Sequence, residues 1–251
     1  MNAYGITHRG AVRAENQDCF RLSFCGSERL LAAVLCDGMG GARCGATASA
    51  LAADAFMSHA ANSLDESSRP ADMKGILTEA VGYANAQVYE RSFRELSCIG
   101  MGTTMVALLV SGRRAMLANV GDSRAYLLSR DRLRQVTRDH SLVEELISSG
   151  KITREEGRVH PQKNIITRAV GTEASIRADL YELKLTPDSR LLLCSDGLSN
   201  ALTDETLRRV LREEPEPEQA ARKLLDLALE AGATDNVTIL IAQLGTEGKH
   251  G

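Results

Sequence analysis

Apolar, strand-like runs that end in an aspartate followed by glycine restrict the fold of this chain more than any other feature. The run LLAAVLC is followed by Asp37 and GMGG, and the run LLLCS is followed by Asp196 and Gly197. A carboxylate is costly to desolvate unless something pairs with it, and glycine is used where the backbone approaches a ligand closely. The pattern indicates buried strands whose ends hold a charged ligand. A tight turn with a solvated aspartate is the alternative for either segment alone.

Two further aspartates occupy similar places. Asp122 lies in the short spacer GDSR between two apolar runs, and Asp235 precedes the apolar run VTILIAQL. If the four strand ends converge, their mutual repulsion requires a cation, and oxygen ligands of this kind suit Mg²⁺, Mn²⁺ or Ca²⁺. Two such ions about 3.5–4 Å apart can share a bridging aspartate and an activated water, for which a phosphoryl group is the natural target.

Strand-like and helix-like segments are grouped along the chain rather than alternating. Short spacers such as SGRR imply hairpins, so the order predicts an α+β layered fold with antiparallel sheets and not a parallel βαβ fold. Capping-box patterns that begin at Ser141 and Thr153 predict a small helical excursion over residues 141–168. The longer predicted helices cover residues 45–59, 70–96, a segment capped by Thr203, and 218–231.

Composition excludes several classes of protein. The chain has 251 residues, of which 43% are hydrophobic and 25% charged, with a net charge of −3, as expected of a soluble globular domain without a nucleic-acid footprint. No apolar run reaches the 18 residues or so of a membrane-spanning helix, and the first residues lack the apolar core of a signal peptide. The six cysteines form no CxxC pair, which argues against zinc. A cytoplasmic, reducing location is the default expectation.

Eight short motifs occur in a fixed order along almost the whole chain. They are RxxNQD, DGMGG, GTT, GDSRAY, DHS, HPxxNxITRAVG, CSDGL and DNVT. This set resembles the PPM family, the metal-dependent, type 2C serine/threonine protein phosphatases, and is most similar to its compact bacterial branch. The resemblance extends from about residue 4 to residue 244.

The resemblance implies a four-layer α-β-β-α sandwich in which helix pairs flank two central antiparallel sheets. It implies a single phosphatase domain over residues 1–245 with a flap subdomain at about 141–168, and we expect 246–251 to be a disordered tail. The implied activity is hydrolysis of phosphoserine and phosphothreonine in proteins by a metal-bridging water, without a phosphoenzyme. The implied cofactors are two core Mn²⁺ or Mg²⁺ ions and a possible third.

The same resemblance assigns catalytic and metal-binding roles. Asp37 would bridge the two core ions, the carbonyl of Gly38 would bind the second, and Asp196 with Asp235 would complete the first. Asp122, together with Asp196, resembles the ligand pair of the third ion.

Four residues would assist this centre. Arg13 matches the family arginine that holds the substrate phosphate, although a solvated surface charge is the alternative. Asn16, Asp18 and Asn236 would orient waters and carboxylates around the ions.

The chain departs from the family pattern at the proton donor. Met39 and Ala42 stand where many members carry a histidine. His140 and His160 are candidates, although each could instead fix the flap, and a metal-bound water is the donor we favour. Arg43 could add a second phosphate contact or be a surface charge.

Other functions remain open at this point. The chemistry could serve the phosphorylated regulator of a sigma-factor switch. A non-catalytic phosphoprotein-binding relative is a second alternative, although such a protein would be expected to lose metal carboxylates, and a calcium-binding structural module is a third. The expected partners are phosphorylated proteins and a cognate serine/threonine kinase with its targets, with neither nucleic acid nor membrane, and the expected state is a monomer.

Overall fold

A computed structural model gives the structure of most of the chain. It describes residues 1–26, 29–40, 44–65, 68–94 and 96–244. The predictions for Ala42, Arg43 and the tail at 246–251 lie outside these residues.

Two antiparallel sheets form the centre of the described structure. The first sheet has the strand order β1 (Asn2–His8), β11 (Val237–Gln243), β10 (Arg190–Cys194), β7 (Arg124–Ser129), β8 (Arg132–Gln135). The second sheet has the order β2 (Asp18–Phe24), β3 (Leu30–Met39), β5 (Met105–Ser111), β6 (Arg114–Val120), β9 (Asp179–Lys184), and β3 also pairs with β4 (Gly102–Thr103).

Helices cover the outer face of each sheet. Those on the second sheet are α1 (Cys44–Ser63) and α2 (Pro70–Arg94). Those on the first sheet are α5 (Asp196–Ala201), α6 (Asp204–Glu213) and α7 (Pro217–Glu230). Two short helices, α3 (Leu142–Ser148) and α4 (Arg154–Arg158), lie in the segment between β8 and β9, and a 3₁₀ turn at Leu96–Cys98 follows α2.

The core has three layers, and the strand β3 shows why. Leu31 and Leu35 lie in the cluster between the two sheets, whereas Ala32 and Val34 lie in the cluster under α1 and α2. Successive side chains of a strand point to opposite faces, so a central strand that is covered on both faces is apolar throughout. This explains the continuous run LLAAVLC and confirms the predicted α+β sandwich of two antiparallel sheets between helices.

The capping predictions are confirmed and one helix was missed. Ser141 accepts a hydrogen bond from the Glu144 N–H, and Thr153 forms a full capping box. The short helix α5 was not predicted, because Asp196-Gly197 was interpreted only as the end of a strand. A side chain at Gly197 would place its Cβ atom 2.0 Å from the carbonyl oxygen of Asn236, so the start of α5 requires glycine.

Two of the four free cysteines are buried, and the other two cysteines of the chain form a disulfide. Cys36 and Cys194 are buried and free, as expected of small apolar side chains in strands. Cys44 and Cys98 form a disulfide that the sequence did not predict, with their Cα atoms 5.4 Å apart. Separately, none of the helices in the described ranges has the length and apolar character needed to cross a membrane.

Candidate metal and active site

The four strand-end aspartates lie around one cleft. Asp37 is in the last part of β3, Asp122 in the turn between β6 and β7, Asp196 directly after β10, and Asp235 just before β11. The cleft has a volume of about 580 Å³, and its other lining residues include Arg13, Gly38 and Asn236. The structure therefore brings together the residues whose convergence the sequence pattern required.

Two threonines fix the backbone of Asp37. Its carbonyl oxygen accepts hydrogen bonds from the Thr103 hydroxyl and the Thr104 N–H, both at 2.8 Å, and its N–H donates to Thr104 Oγ1 at 3.0 Å. A Cβ atom at Gly38 would lie 2.0 Å from the carbonyl oxygen of Gly45, so only glycine fits there. No role for these threonines was predicted from the sequence, although the GTT motif contains both of them.

Thr104 also contacts the segment that carries Asp122. Its hydroxyl shares a 2.7 Å hydrogen bond with the hydroxyl of Ser123. Gly121, the residue before Asp122, has a φ of 102°, and a Cβ atom there would lie 2.7 Å from the Thr104 side chain. One threonine thus sets the position of the Asp122 turn relative to Asp37.

Asp196 is the first residue of α5 and has one oxygen without a protein partner. Its Oδ2 accepts a 3.1 Å hydrogen bond from Asn200 Nδ2. Its Oδ1 is buried, and no hydrogen-bond partner for it exists among the residues that the structure describes. A buried, unpaired carboxylate oxygen is costly, so this atom is suited to a cation.

Asp235 forms an ion pair with Arg13 at the rim of the cleft. Arg13 Nη2 lies 2.8 Å from Asp235 Oδ2, and the side chains are 56% and 31% exposed. The hydrogen bond to Asp235 raises the pKa of Arg13. The sequence analysis placed both residues in the site but did not predict this contact.

Asp18 is buried beside Asp37. Its Oδ2 accepts hydrogen bonds from the hydroxyls of Ser195 and Thr238, both at 2.7 Å. Its Oδ1 is buried without a partner in the described part of the chain. Burial raises the pKa of Asp18 to about 7.

The two asparagines bind protein groups. Asn236 accepts from or donates to three backbone groups of the loop 9–17, at 2.8–3.0 Å. Asn16 donates to the Thr7 hydroxyl and accepts from the Asp18 N–H. Both side chains hold the loop that carries Arg13, and their predicted role in orienting waters stays a prediction.

The clustered carboxyl groups resist ionisation together. Burial, with Asp196 as the next cause, raises the pKa of Asp122 to about 8. Burial, followed by Asp235, raises the pKa of Asp196 to about 6, and burial followed by Asp18 raises the pKa of Asp37 well above its usual value. Buried carboxylates near like charges need a cation to be charged at neutral pH.

The comparison with known families decides the identity of the fold. Residues 25–237 match the family described as Protein phosphatase 2C. This chain belongs to the protein phosphatase 2C (PP2C) family. PP2C proteins are Mn²⁺- or Mg²⁺-dependent serine/threonine protein phosphatases.

Individual PP2C relatives are similar over nearly the whole chain. The chain is 34% identical over 243 residues to the serine/threonine phosphatase stp of Listeria innocua, covering 97% of this chain and 96% of that one. It is 40% identical over 236 residues to the serine/threonine protein phosphatase PstP of Mycobacterium tuberculosis, covering 94% of this chain but only 43% of PstP. The crystal structure of the PstP catalytic domain with two manganese ions superposes with a TM-score of 0.83 at 34% identity, covering 98% of both chains.

The residues of the cleft fit the PP2C cofactor. Its donors are carboxylate and carbonyl oxygens, which suit Mn²⁺ and Mg²⁺, and the residues that line it include neither histidine nor cysteine. Within the described ranges, no three His, Cys, Asp or Glu side chains already converge on one point. Arg13 holds one oxygen of Asp235, and like-charged carboxylates repel one another without a cation. The unpaired Oδ1 of Asp196 supports the fit.

The histidine candidates for the proton donor lie outside the cleft. His140 is buried, its Nδ1 accepts from the Gly121 N–H at 3.1 Å, and its Nε2 lies 3.2 Å from Asp179. His160 Nδ1 accepts from the backbone of Gln162 at 3.2 Å. Neither residue lines the cleft, whereas Met39 does. The structure therefore favours the alternative in which the histidines fix local structure.

A second, smaller cavity adjoins the PP2C cleft beneath the segment 141–168. It has a volume of about 240 Å³ and shares Asp122 and Asp196 with the cleft. The segment 141–168 contributes basic side chains to it, namely Arg154, Arg158 and Lys163. The segment also lines the cleft itself through Asn164 and Ile166, so the cleft and the second cavity adjoin the same segment.

Proposed function

We propose that this PP2C chain hydrolyses phosphoserine and phosphothreonine in proteins at the cleft between the two sheets. The observation that carries the proposal is the convergence of Asp37, Asp122, Asp196 and Asp235 on one cleft with Arg13 at its rim. Four carboxylates from four separate strand ends repel one another and so destabilise the fold. A site with only a structural role gains nothing that would offset this repulsion.

Each carboxylate has a distinct role in the proposal. Asp37 would serve both core ions, the carbonyl of Gly38 would serve the second, and Asp196 with Asp235 would serve the first. Asp122, with Asp196, would hold a third. When bound, Mn²⁺ or Mg²⁺ lowers the pKa of a water and offsets the charge of the phosphate. The fixed backbone of Asp37 gives its carboxylate a defined direction, which a bridging ligand needs.

Arg13 receives the substrate phosphate. Its guanidinium carries five N–H donors, of which the contact with Asp235 uses one nitrogen. The remaining donors match the oxygens of a phosphate, and Asp235 holds the guanidinium at the rim. The leaving serine or threonine oxygen takes its proton from a water in the cleft, since neither His140 nor His160 lines it.

The substrates are phosphorylated proteins, including a cognate serine/threonine kinase and its targets. The names of the relatives stp and PstP, both serine/threonine phosphatases, support this substrate class. We propose that the chain acts as a monomer in the cytoplasm, with Asn16, Asp18 and Asn236 supporting the metal ligands and the Arg13 loop.

Phosphate release from matched phosphoserine, phosphothreonine and phosphotyrosine peptides, with Mn²⁺ or Mg²⁺, tests the proposal. We expect turnover of the first two peptides and none in excess chelator. No release with either metal would favour a non-catalytic phosphoprotein-binding relative. Release only from the folded phosphoserine regulator of a sigma-factor switch would narrow the substrate to that class. Full turnover in excess chelator would contradict a metal-dependent mechanism.

A further inference from the structure

His140 is bonded to the turn that carries Asp122. Its backbone N–H donates to the carbonyl oxygen of Gly121 at 2.9 Å. In the opposite direction, the N–H of Gly121 donates to His140 Nδ1 at 3.1 Å. The residue directly before Asp122 is therefore fixed on both its N–H and its C=O by a single histidine.

The other side of His140 is bonded to the far end of the segment 141–168. The His140 carbonyl oxygen accepts from the Thr167 N–H at 2.8 Å. Its Nε2 lies 3.2 Å from Asp179 Oδ2, and Asp179 Oδ1 lies 3.0 Å from Arg168 Nη1. Arg168 Nη1 also lies 3.1 Å from His140 Nε2. Since His140 immediately precedes this segment, both ends of the segment meet at one histidine.

The ring is suited to this position in one protonation state. Because Nδ1 accepts from a backbone N–H, the neutral ring carries its proton on Nε2, which faces both Asp179 Oδ2 at 3.2 Å and Arg168 Nη1 at 3.1 Å. Burial lowers the pKa of His140, which favours that neutral form. The ring is buried and lies outside the cleft, so it cannot touch substrate.

We propose that His140 is a positioning residue that couples metal binding at Asp122 to the placement of the segment 141–168. The proposal rests on the assignment of Asp122 as a ligand of the third ion. Coupling between two sites is reciprocal, so if ion binding at Asp122 favours one placement of the segment through His140, the contacts that hold the segment in that placement raise the affinity for that ion by the same factor. Asp179, which does not line the cleft, is the remote end of the coupling.

Asp179→Ala is the variant that tests the coupling, because it removes the remote contact and leaves Gly121 and Asp122 untouched. Asp179 is 40% exposed, so the fold should be retained. We expect the most weakly bound Mn²⁺ to lose affinity by about two- to thirtyfold in calorimetry, with the two core ions unchanged. The KM for a phosphothreonine peptide should rise more than that for a small aryl phosphate, because a peptide extends beyond Asn164 and Ile166, the residues of the segment that line the cleft.

Two matched variants sharpen the test. Asp179→Asn keeps an acceptor for the Nε2 proton and for Arg168, and should restore most of the affinity. Glu182 lies on β9 like Asp179, and Glu182→Ala removes its exposed ion pair with Arg114 of β6, so this variant should behave as wild type. Wild-type Mn²⁺ affinity and peptide KM in Asp179→Ala would overturn the coupling.

Asp122→Ala separates failure of the coupling from failure of the proposed function. If this variant binds every ion that the wild type binds, the assignment of Asp122 is wrong. If it loses one ion while Asp179→Ala binds as wild type does, Asp122 is a ligand and His140 has no coupling role.

Discussion

Asp18 lies directly opposite Asp37 in the ladder between β2 and β3. Asp18 is 8% exposed, and the pKa values of both carboxyl groups are raised, with burial as the largest cause. A protein core with only a structural role would not place two buried carboxyl groups opposite each other on neighbouring strands. Their pairing identifies this end of the sheet as a place where charge is held for function.

The metal-free protein should be less stable at pH 8 than at pH 5.5. The folded-state pKa values are raised from 3.8 to about 7 for Asp18, about 8 for Asp122 and about 6 for Asp196. At pH values above the ordinary pKa and below these raised values, the folded chain binds more protons than the unfolded chain, so the free energy of unfolding falls as pH rises. Urea unfolding in chelator at both pH values measures this difference.

With saturating Mn²⁺ the protein should instead be more stable at pH 8 than at pH 5.5, because metal ligands must be deprotonated. Asp18→Asn should make the metal-free pH dependence shallower. Asp54→Asn, which changes an exposed aspartate on α1, should leave it unaltered. Equal stability of the metal-free wild type at the two pH values would show that the cluster is not under electrostatic stress.

Asp37→Asn should be the most damaging single change at the site, because this residue serves both core ions in our assignment. Loss of a supporting group around a metal typically costs about 10- to 100-fold, so a bridging ligand should cost more than about 100-fold in kcat. Asp122→Ala should slow turnover less and leave two ions bound. Calorimetry with Mn²⁺ checks both, and unchanged affinity for the core ions in Asp37→Asn would remove it from the bridge.

The sequence predicted the parts of this molecule that depend on local pattern. The apolar run LLAAVLC predicts a strand that is covered on both faces, and Asp37 directly after it predicts where the covered part of the strand ends. Capping at Ser141 and Thr153 follows from side-chain chemistry within four residues, so it too could be predicted.

Contacts between distant segments could not be predicted in the same way. The Arg13–Asp235 pair joins residues 222 positions apart, and the Thr104–Ser123 bond depends on how two turns pack. The bonds of His140 to Gly121 and Asp179 similarly arise from tertiary packing. The motifs GTT and DHS mark Thr104 and His140 as family residues, but a motif does not identify their hydrogen-bond partners.

Reduction of the Cys44–Cys98 disulfide should destabilise the protein. The cysteines are 54 positions apart, and closing a loop of that size is worth about 4 kcal/mol in the chain-entropy account, with about 2–4 kcal/mol typical in practice. Cys44 begins α1 directly before Gly45, which packs on Gly38, so Mn²⁺ affinity should also fall. Urea unfolding with and without dithiothreitol measures the first effect.

The double variant Cys44→Ala/Cys98→Ala should be insensitive to dithiothreitol, although it keeps the four free cysteines. If the reductant lowered the unfolding midpoint of this variant as much as that of the wild type, the bridge would not be the cause. In a reducing compartment the two thiols are the expected state, so the reduced protein is the relevant form there.

Arg13→Ala tests whether the rim arginine grips the phosphate. A charge-assisted, bidentate contact is worth roughly 1.5–3 kcal/mol, so its loss should lower kcat/KM by about 10- to 150-fold. Arg13→Lys keeps the charge without the planar fork and should recover only part of the loss. The Asp235 ion pair is itself half exposed and worth about 0–1 kcal/mol, so its loss cannot produce an effect of that size.

The measurement is steady-state kinetics on one phosphothreonine peptide at saturating Mn²⁺, with calorimetry of Mn²⁺ binding in parallel. Affinity for Mn²⁺ should stay unchanged or increase slightly, because the variant frees an oxygen of Asp235 from a competing cation. Arg9→Ala, which changes another exposed arginine of the same loop that does not line the cleft, should keep wild-type efficiency. If Arg13 is only a surface charge, Arg13→Ala should also change kcat/KM by less than about twofold. Equal efficiencies of the two alanine variants would therefore exclude Arg13 from phosphate binding, whereas a loss confined to Arg13→Ala with Mn²⁺ affinity intact would support its contact with the phosphate.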